Sequence, residues 1–213
     1  MPRLTAVPVI AVTTLLVSVA AQFAPEWVDA PMRAGLIPAR ASGVSTDYLA
    51  IPVWLTPLSS ALIHDGFLHL GSNLLILVFT GWRCQRAIGA WRLTILYVFG
   101  AYVAAFAQWL PDPVSITPMV GASGAVSALF GAYSLLFGRV GAPAIGPLPA
   151  RLVNACWLAA SWSWINLLTA WAFRLEGIAV AAAAHIGGFI AGLVLARPLL
   201  WWRRRRGRAA GAR

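Results

Sequence analysis

The sequence predicts an all-α fold: a polytopic membrane protein of one domain, residues 1–213, built as a six-transmembrane-helix bundle. Three observations carry this. Hydrophobic residues make up 60% of the chain and charged residues only 10%, whereas a soluble domain carries about a quarter charged. The apolar residues fall in runs close to the ~20 that a helix needs to cross a ~30 Å hydrocarbon layer. The net charge of +10 comes from arginine alone, and the arginines sit at the ends of apolar runs. That distribution reads as a topology signal, with the lipid bilayer and not nucleic acid as the partner.

The first segment spans about 5–23. Arg3, an apolar core and small residues near Ala20 and Ala21 also fit a cleavable signal peptide. The uncharged run 4–23 is long enough to span, and a retained helix is the preferred reading. Residues 24–60 follow as an unusually long connection. Trp27, Leu36, Ile37, Ile51, Val53, Trp54 and Leu55 make it amphipathic, which suits a loop lying at the membrane interface. The second segment, 61–80, opens with several polar residues. The third, 91–110, is closed by Pro111 and Pro113. The fourth, 119–137, is followed by Gly138, Gly141, Pro143, Gly146 and Pro147. The fifth runs over 152–173, and the sixth, 177–200, starts after a break at Gly177. A basic tail, 201–213, contains RRRRGR and is assigned to the cytoplasm.

With the amino terminus cytoplasmic, 13 of the 16 arginines fall on the inner side and only Arg33, Arg40 and Arg174 outside. All six acidic residues, Glu26, Asp29, Asp47, Asp65, Asp112 and Glu176, also fall outside. This bias predicts that both termini are cytoplasmic and supports an even number of spans. Arg3, Arg139, Arg206, Arg208 and Arg213 are among the inner set. The two cysteines, Cys84 and Cys156, lie near the inner side and form no motif, so no disulfide is expected. An arginine-only, alanine-rich composition points to a GC-rich bacterial genome and a bacterial cell membrane.

In this topology segments 2, 4 and 6 run from outside to inside, and each carries polar residues in its outer part. Segment 2 supplies His64, His69 and Asn73, segment 4 Ser123, and segment 6 His185. At 1.5 Å per residue His185 sits ~12 Å below Gly177. Ser123 is about a turn into its helix, so a loop dipping inward before segment 4 brings the two level. Polar side chains at that depth are costly unless paired or wetted, and mark functional candidates. Each also has a structural reading. A serine among Gly and Ala serves close helix packing. A buried histidine can be satisfied by a hydrogen bond, and His69 with Asn73, four apart, can cap a helix and hold the long loop. For His64, at the helix start, the structural reading is the better one.

Together these residues are the parts of an acyl-transfer site. A serine oxygen needs a base within hydrogen-bond reach, and His185 can be that base and then protonate the leaving amine. Asn73, His69 and the Ser123 amide at a helix start are suitable oxyanion donors. No Asp or Glu lies in segments 2, 4 or 6, so a Ser–His dyad is the economical reading, with Asp65 and Asp112 as remote third members. Gly188 and Gly192 form GxxxG after His185, and Gly124, Ala128 and Gly131 form a small-residue stripe after Ser123. Two such faces allow close approach and bring serine and histidine together. No metal motif, phosphate loop or intramembrane carboxylate pair is present, and no cofactor or metal is expected.

These residues resemble the rhomboid intramembrane serine proteases over about 50–195. The family's H-x4-H-x3-N pattern is matched by His64, His69 and Asn73. Its G-x-S-G is matched by Gly121, Ala122, Ser123 and Gly124, and its A-H-x-x-G-x-x-x-G by Ala184, His185, Gly188 and Gly192. The resemblance implies a rhomboid-like bundle and a Ser123–His185 dyad, with His69, Asn73 and the Ser123 amide around the oxyanion and Gly121 and His64 in support. It also implies transmembrane protein substrates cut near their outer ends, and no cofactor. Three positions depart from the family pattern: Leu55 after Trp54, Gln85 where many members have Glu, and Ser127 where an aromatic can stack on the histidine. They bear on loop anchoring and on the orientation of His185.

Two other functions compete. An inactive relative that binds membrane clients has no need of both Ser123 and His185. A small transporter needs a polar path to the cytoplasm, whereas the inner halves LLILVF (74–79) and FIAGLVLA (189–196) are apolar.

Overall fold

The computed structural model describes residues 5–23, 29–138, 141–175 and 180–211, with side chains to residue 205. Arg3, Glu26, Trp27, Arg139, Glu176, Gly177 and Arg213, and the side chains of Arg206 and Arg208, lie outside the described residues. The described chain is helical: α1 (Ala6–Phe23), α2 (Ala30–Ala34), α3 (Pro38–Ala41), α4 (Thr56–Ser59), α5 (Gly66–Ile88), α6 (Ala90–Trp109), α7 (Ser123–Phe137), α8 (Ala150–Leu175) and α9 (Ala182–Gly211). Single 3-10 turns, Val53–Leu55 and Ser60–Leu62, flank α4. Extended pairing among the described residues is confined to isolated bridges, Leu36 with Met119 and Ile145 with Leu148.

Three described helices are long and apolar enough to cross a membrane alone: α1, α6 and the stretch Ala182–Arg205 of α9. Val53–Leu62 and α5 meet that test together, as a pair bent by 93°. By length and composition this gives three or four spans where six were expected. α7 is apolar but has only 15 residues. α8 has 26, but it interleaves Asn154, Ser161, Ser163 and Asn166 with its apolar residues.

Several boundaries move, each for a local reason. The second segment is not helical from residue 61: the chain is extended at Ile63, and α5 starts only at Gly66, which takes φ +83°. It then runs past residue 80 to Ile88, where Gly89 at φ +89° ends it. The fourth starts at Ser123 and not at 119, because Met119 pairs with Leu36 and Gly121 sits at φ +111°. Ser123 is therefore the first residue of its helix, not a turn inside it. The sixth starts at Ala182, so His185 lies in the first turn rather than two turns down. An orphan amide of that turn, Ala184 N–H, is capped from outside by Gln108 Oε1 of α6, at 3.3 Å. The basic tail is a continuation of α9 through Gly211.

α7 is the centre of the bundle, packed between α6 and α9. Backbones approach there because side chains are absent. A Cβ on Gly124 would lie 2.6 Å from that of Ala104. Cβ atoms on Gly188 and Gly192 would collide with the carbonyl oxygens of Gly124 and Ala128. Leu77 of α5, Leu93 and Leu96 of α6, and Leu129 of α7 fill the core beside this seam and are fully buried.

The described part of the 24–60 connection, from Asp29 on, braces the chain entering α7. Leu36, Ile37 and Ala39 are buried, while Leu49 and Trp54 face out. Leu36 and Met119 exchange backbone bonds of 3.0 and 2.8 Å, and Ala39 N–H donates to Ser115 at 3.0 Å. Gly121 N–H donates to Ser60 at 2.9 Å. Trp54 turns its carbonyl to the Tyr102 hydroxyl at 2.9 Å, and Leu55 is half-buried. Gln85 accepts the Val7 N–H at 3.1 Å, tying α5 to the start of α1. Cys84 is buried, Cys156 exposed, and both are free.

Candidate active site

The site lies where the N-terminal parts of α5, α7 and α9 and the stretch 162–169 of α8 converge on a cavity of about 540 Å³. His69, Asn73, Ser123, Ser127, Asn166 and His185 all line it. His185 Nε2 is 2.8 Å from Ser123 Oγ. On its other side, His185 Nδ1 is 2.8 Å from Asn166 Oδ1.

The directions of these bonds follow from chemistry. Asn166 Nδ2 donates to the Trp162 carbonyl one turn back, at 2.9 Å. That leaves the amide oxygen facing His185, and an oxygen can only accept. The proton of a neutral imidazole is then on Nδ1, and Nε2 keeps its lone pair for the serine hydroxyl. Trp162 adds a third tie, donating Nε1–H to the His185 carbonyl at 3.2 Å. Its ring stacks on Phe189 at 5.1 Å and tilts against Phe130 at 4.9 Å.

The histidine contact is not supplied by Asp65 or Asp112. Asp65 stands at the N-cap of α5 without a side-chain capping bond, and Asp112 accepts the Ser115 N–H through its backbone carbonyl at 3.2 Å. Asn166 is a partner that motif reading misses. The available signal was an amide inside an apolar segment, where an unpaired polar group is expensive.

His69 stands across Gly121 from the serine. A Cβ on Gly121 would be 2.7 Å from the His69 ring and 3.7 Å from Ser123 Oγ. Only glycine fits there, both for that approach and for its φ of +111°. Asn73 is buried and donates one amide hydrogen to the His69 carbonyl at 2.9 Å. That bond runs one turn back along its own helix, and the second hydrogen of Nδ2 is available beside the cavity. The first amides of α7, from Ser123 N–H onward, have no helical carbonyl one turn back to donate to.

His64 lies in the non-helical link between Leu62 and α5 and is buried. Its Nε2 accepts the Ala122 N–H at 3.2 Å. Nδ1–H then donates to Ser18 Oγ at 2.9 Å, and Ser18 donates on to the Leu62 carbonyl at 2.7 Å. The chain of bonds requires a neutral ring. His64 is thus a fixed strut between α1 and the residue preceding Ser123. Ser127, one turn below Ser123, is buried in the cavity wall. Among the described residues, no group of three or more His, Cys, Asp or Glu side chains is placed to hold a metal ion.

Comparison with known proteins adds the following. The family model described as Rhomboid domain matches residues 52–202. The rhomboid protease GlpG of Serratia proteamaculans (strain 568) is 32% identical over 155 residues, 71% of this chain and 49% of its own. The proteins of that name from Yersinia pestis (strain Pestoides F) and Yersinia pseudotuberculosis serotype O:3 (strain YPIII) match to the same extent. The chain spans about half the length of these relatives.

Proposed function

The chain belongs to the rhomboid family and, with its apolar helices, is an integral membrane protein; from that premise we propose that it is an intramembrane serine endopeptidase. The observation that carries this is the 2.8 Å contact between His185 Nε2 and Ser123 Oγ in a cavity lined by α5, α7, α8 and α9. The substrates we propose are transmembrane proteins; the relatives' name supports the protease activity itself.

In this reading Ser123 Oγ attacks the scissile carbonyl carbon as its proton passes to His185 Nε2. The tetrahedral oxyanion is met by the Ser123 amide, the His69 ring and the free hydrogen of Asn73. His185 Nε2–H then protonates the leaving nitrogen, the C–N bond breaks, and an acyl ester remains on Ser123. Water, deprotonated by His185, releases the acid and restores the serine. Protein groups accomplish every transfer, and no cofactor enters.

The arginine distribution supports a six-span topology in a bacterial membrane with both termini cytoplasmic. The short α7 then crosses only in part, which sets Ser123 below the outer surface. A reporter test decides the function. The purified protein should cleave a tagged transmembrane substrate in liposomes and take up a fluorophosphonate, and Ser123→Ala should do neither. Equal labelling of wild type and Ser123→Ala would remove the nucleophile, and labelling without cleavage would favour an inert relative.

A further inference from the structure

We propose that Asn166 is a positioning residue for this chemistry: it holds His185 as the Nδ1–H tautomer and turns Nε2 toward Ser123. The constellation is then Ser123–His185–Asn166, contributed by α7, α9 and α8. This rests on the reading of Ser123 and His185 as the reacting pair.

An isolated neutral imidazole exchanges its proton between two nitrogens, and only one tautomer can receive the serine proton at Nε2. Asn166 removes the choice. Its Nδ2 is committed to the Trp162 carbonyl at 2.9 Å, so Oδ1 must face His185 Nδ1 at 2.8 Å. The other tautomer would put a bare nitrogen against a bare oxygen. When His185 becomes an imidazolium, the same oxygen accepts the Nδ1–H of the charged ring without itself taking a proton. An amide does this where a carboxylate would bring a second buried charge.

The surroundings show that Asn166 is held for the purpose. On α8 only Val153 and Asn166 are fully buried among the described residues. Yet three interactions of α8 converge on one turn of α9. Asn166 bonds the His185 ring, Trp162 Nε1–H bonds the His185 carbonyl, and the Trp162 ring stacks on Phe189. Trp162 thus fixes the helix register, and Asn166 uses that register to set the ring. Ser127, on the α7 side of the cavity, is too short to brace an imidazole by stacking.

The test uses the full chain with Asn166→Leu, Asn166→Ala and Asn166→Asp. Two measurements are made: kcat and KM on a transmembrane reporter, and the histidine ¹⁵N shifts, with His185 assigned from a His185→Gln control. Asn166→Leu and Asn166→Ala should lower kcat about tenfold or more and leave KM within about twofold. Asn166→Asp, which keeps an acceptor oxygen, should recover most of the loss. In the wild type the His185 proton should reside on Nδ1, and in Asn166→Leu it should redistribute between the nitrogens. Wild-type kcat in Asn166→Leu, or a tautomer unchanged by the substitution, overturns the proposal. A loss of activity that Asn166→Asp does not reverse, with the tautomer intact, also overturns it. If Ser123 itself proves unreactive, the protease reading fails, and the nitrogen spectrum still reports whether Asn166 sets the ring.

Discussion

His185 Nε2 and Ser123 Oγ meet at 2.8 Å although 62 residues separate them in the chain. Both stand in the first turn of a helix, so their separation is set by how closely α7 and α9 approach. That approach is backbone on backbone: a Cβ at Gly188 would run into the Gly124 carbonyl oxygen, one residue after the serine.

Gly188→Ala should therefore separate the pair. Overpacking of this kind costs about 1–3 kcal/mol, and here the strain falls on the turn that carries Ser123. Fluorophosphonate labelling of Ser123 should slow by about tenfold or more, and thermal stability in detergent should fall. Gly141→Ala is the control, since a methyl there meets nothing within 4 Å. Labelling at the wild-type rate in Gly188→Ala would show that helix approach does not govern the contact.

His64 ties α1 to the turn before Ser123. Its Nε2 accepts the Ala122 N–H and its Nδ1–H donates to Ser18 Oγ, both from a buried ring. Removing the ring leaves buried polar groups without their partner, at about 1–3 kcal/mol. His64→Leu should therefore lower the thermal unfolding temperature in detergent, and His64→Gln, which keeps a donor and an acceptor, should recover part of the loss. A His64→Leu protein that unfolds at the wild-type temperature would show that this strut carries no stability.

Much of this site is legible in sequence because its parts are local. His64, His69 and Asn73 share one stretch, Gly121 to Gly124 another, and His185 to Gly192 a third. Helix starts are less legible, because neighbours set them. Gln108 caps the turn before His185, and Leu36 pulls residues before Ser123 into an extended bridge. Asn166 is the least legible. Its meaning depends on which helix face meets His185, and that is decided by the Trp162–Phe189 stack.

Asn73 tests the oxyanion side. It is buried beside the cavity with one amide hydrogen uncommitted after the bond to the His69 carbonyl. Asn73→Ala should lower kcat by about 10²-fold with little change in KM, the signature of a donor used in the transition state. The fall should be visible in reporter turnover under saturating substrate. A rise in KM at constant kcat would instead make Asn73 a substrate-binding group.

Gly121 joins the two sides of the site and is the most demanding position. Its φ of +111° disfavours any side chain, and a methyl there would press on the His69 ring at 2.7 Å. Two effects should then add in Gly121→Ala. The backbone would relax toward negative φ and turn the Ser123 amide, and His69 would be pushed off the oxyanion position. Turnover should be abolished, whereas Ser123→Ala, with no such strain, should unfold at the wild-type temperature. The discriminating measurement is fluorophosphonate labelling of Gly121→Ala at a temperature where circular dichroism shows it folded. Labelling near the wild-type rate in that folded variant would mean that neither the turn nor His69 governs the reactivity of the serine.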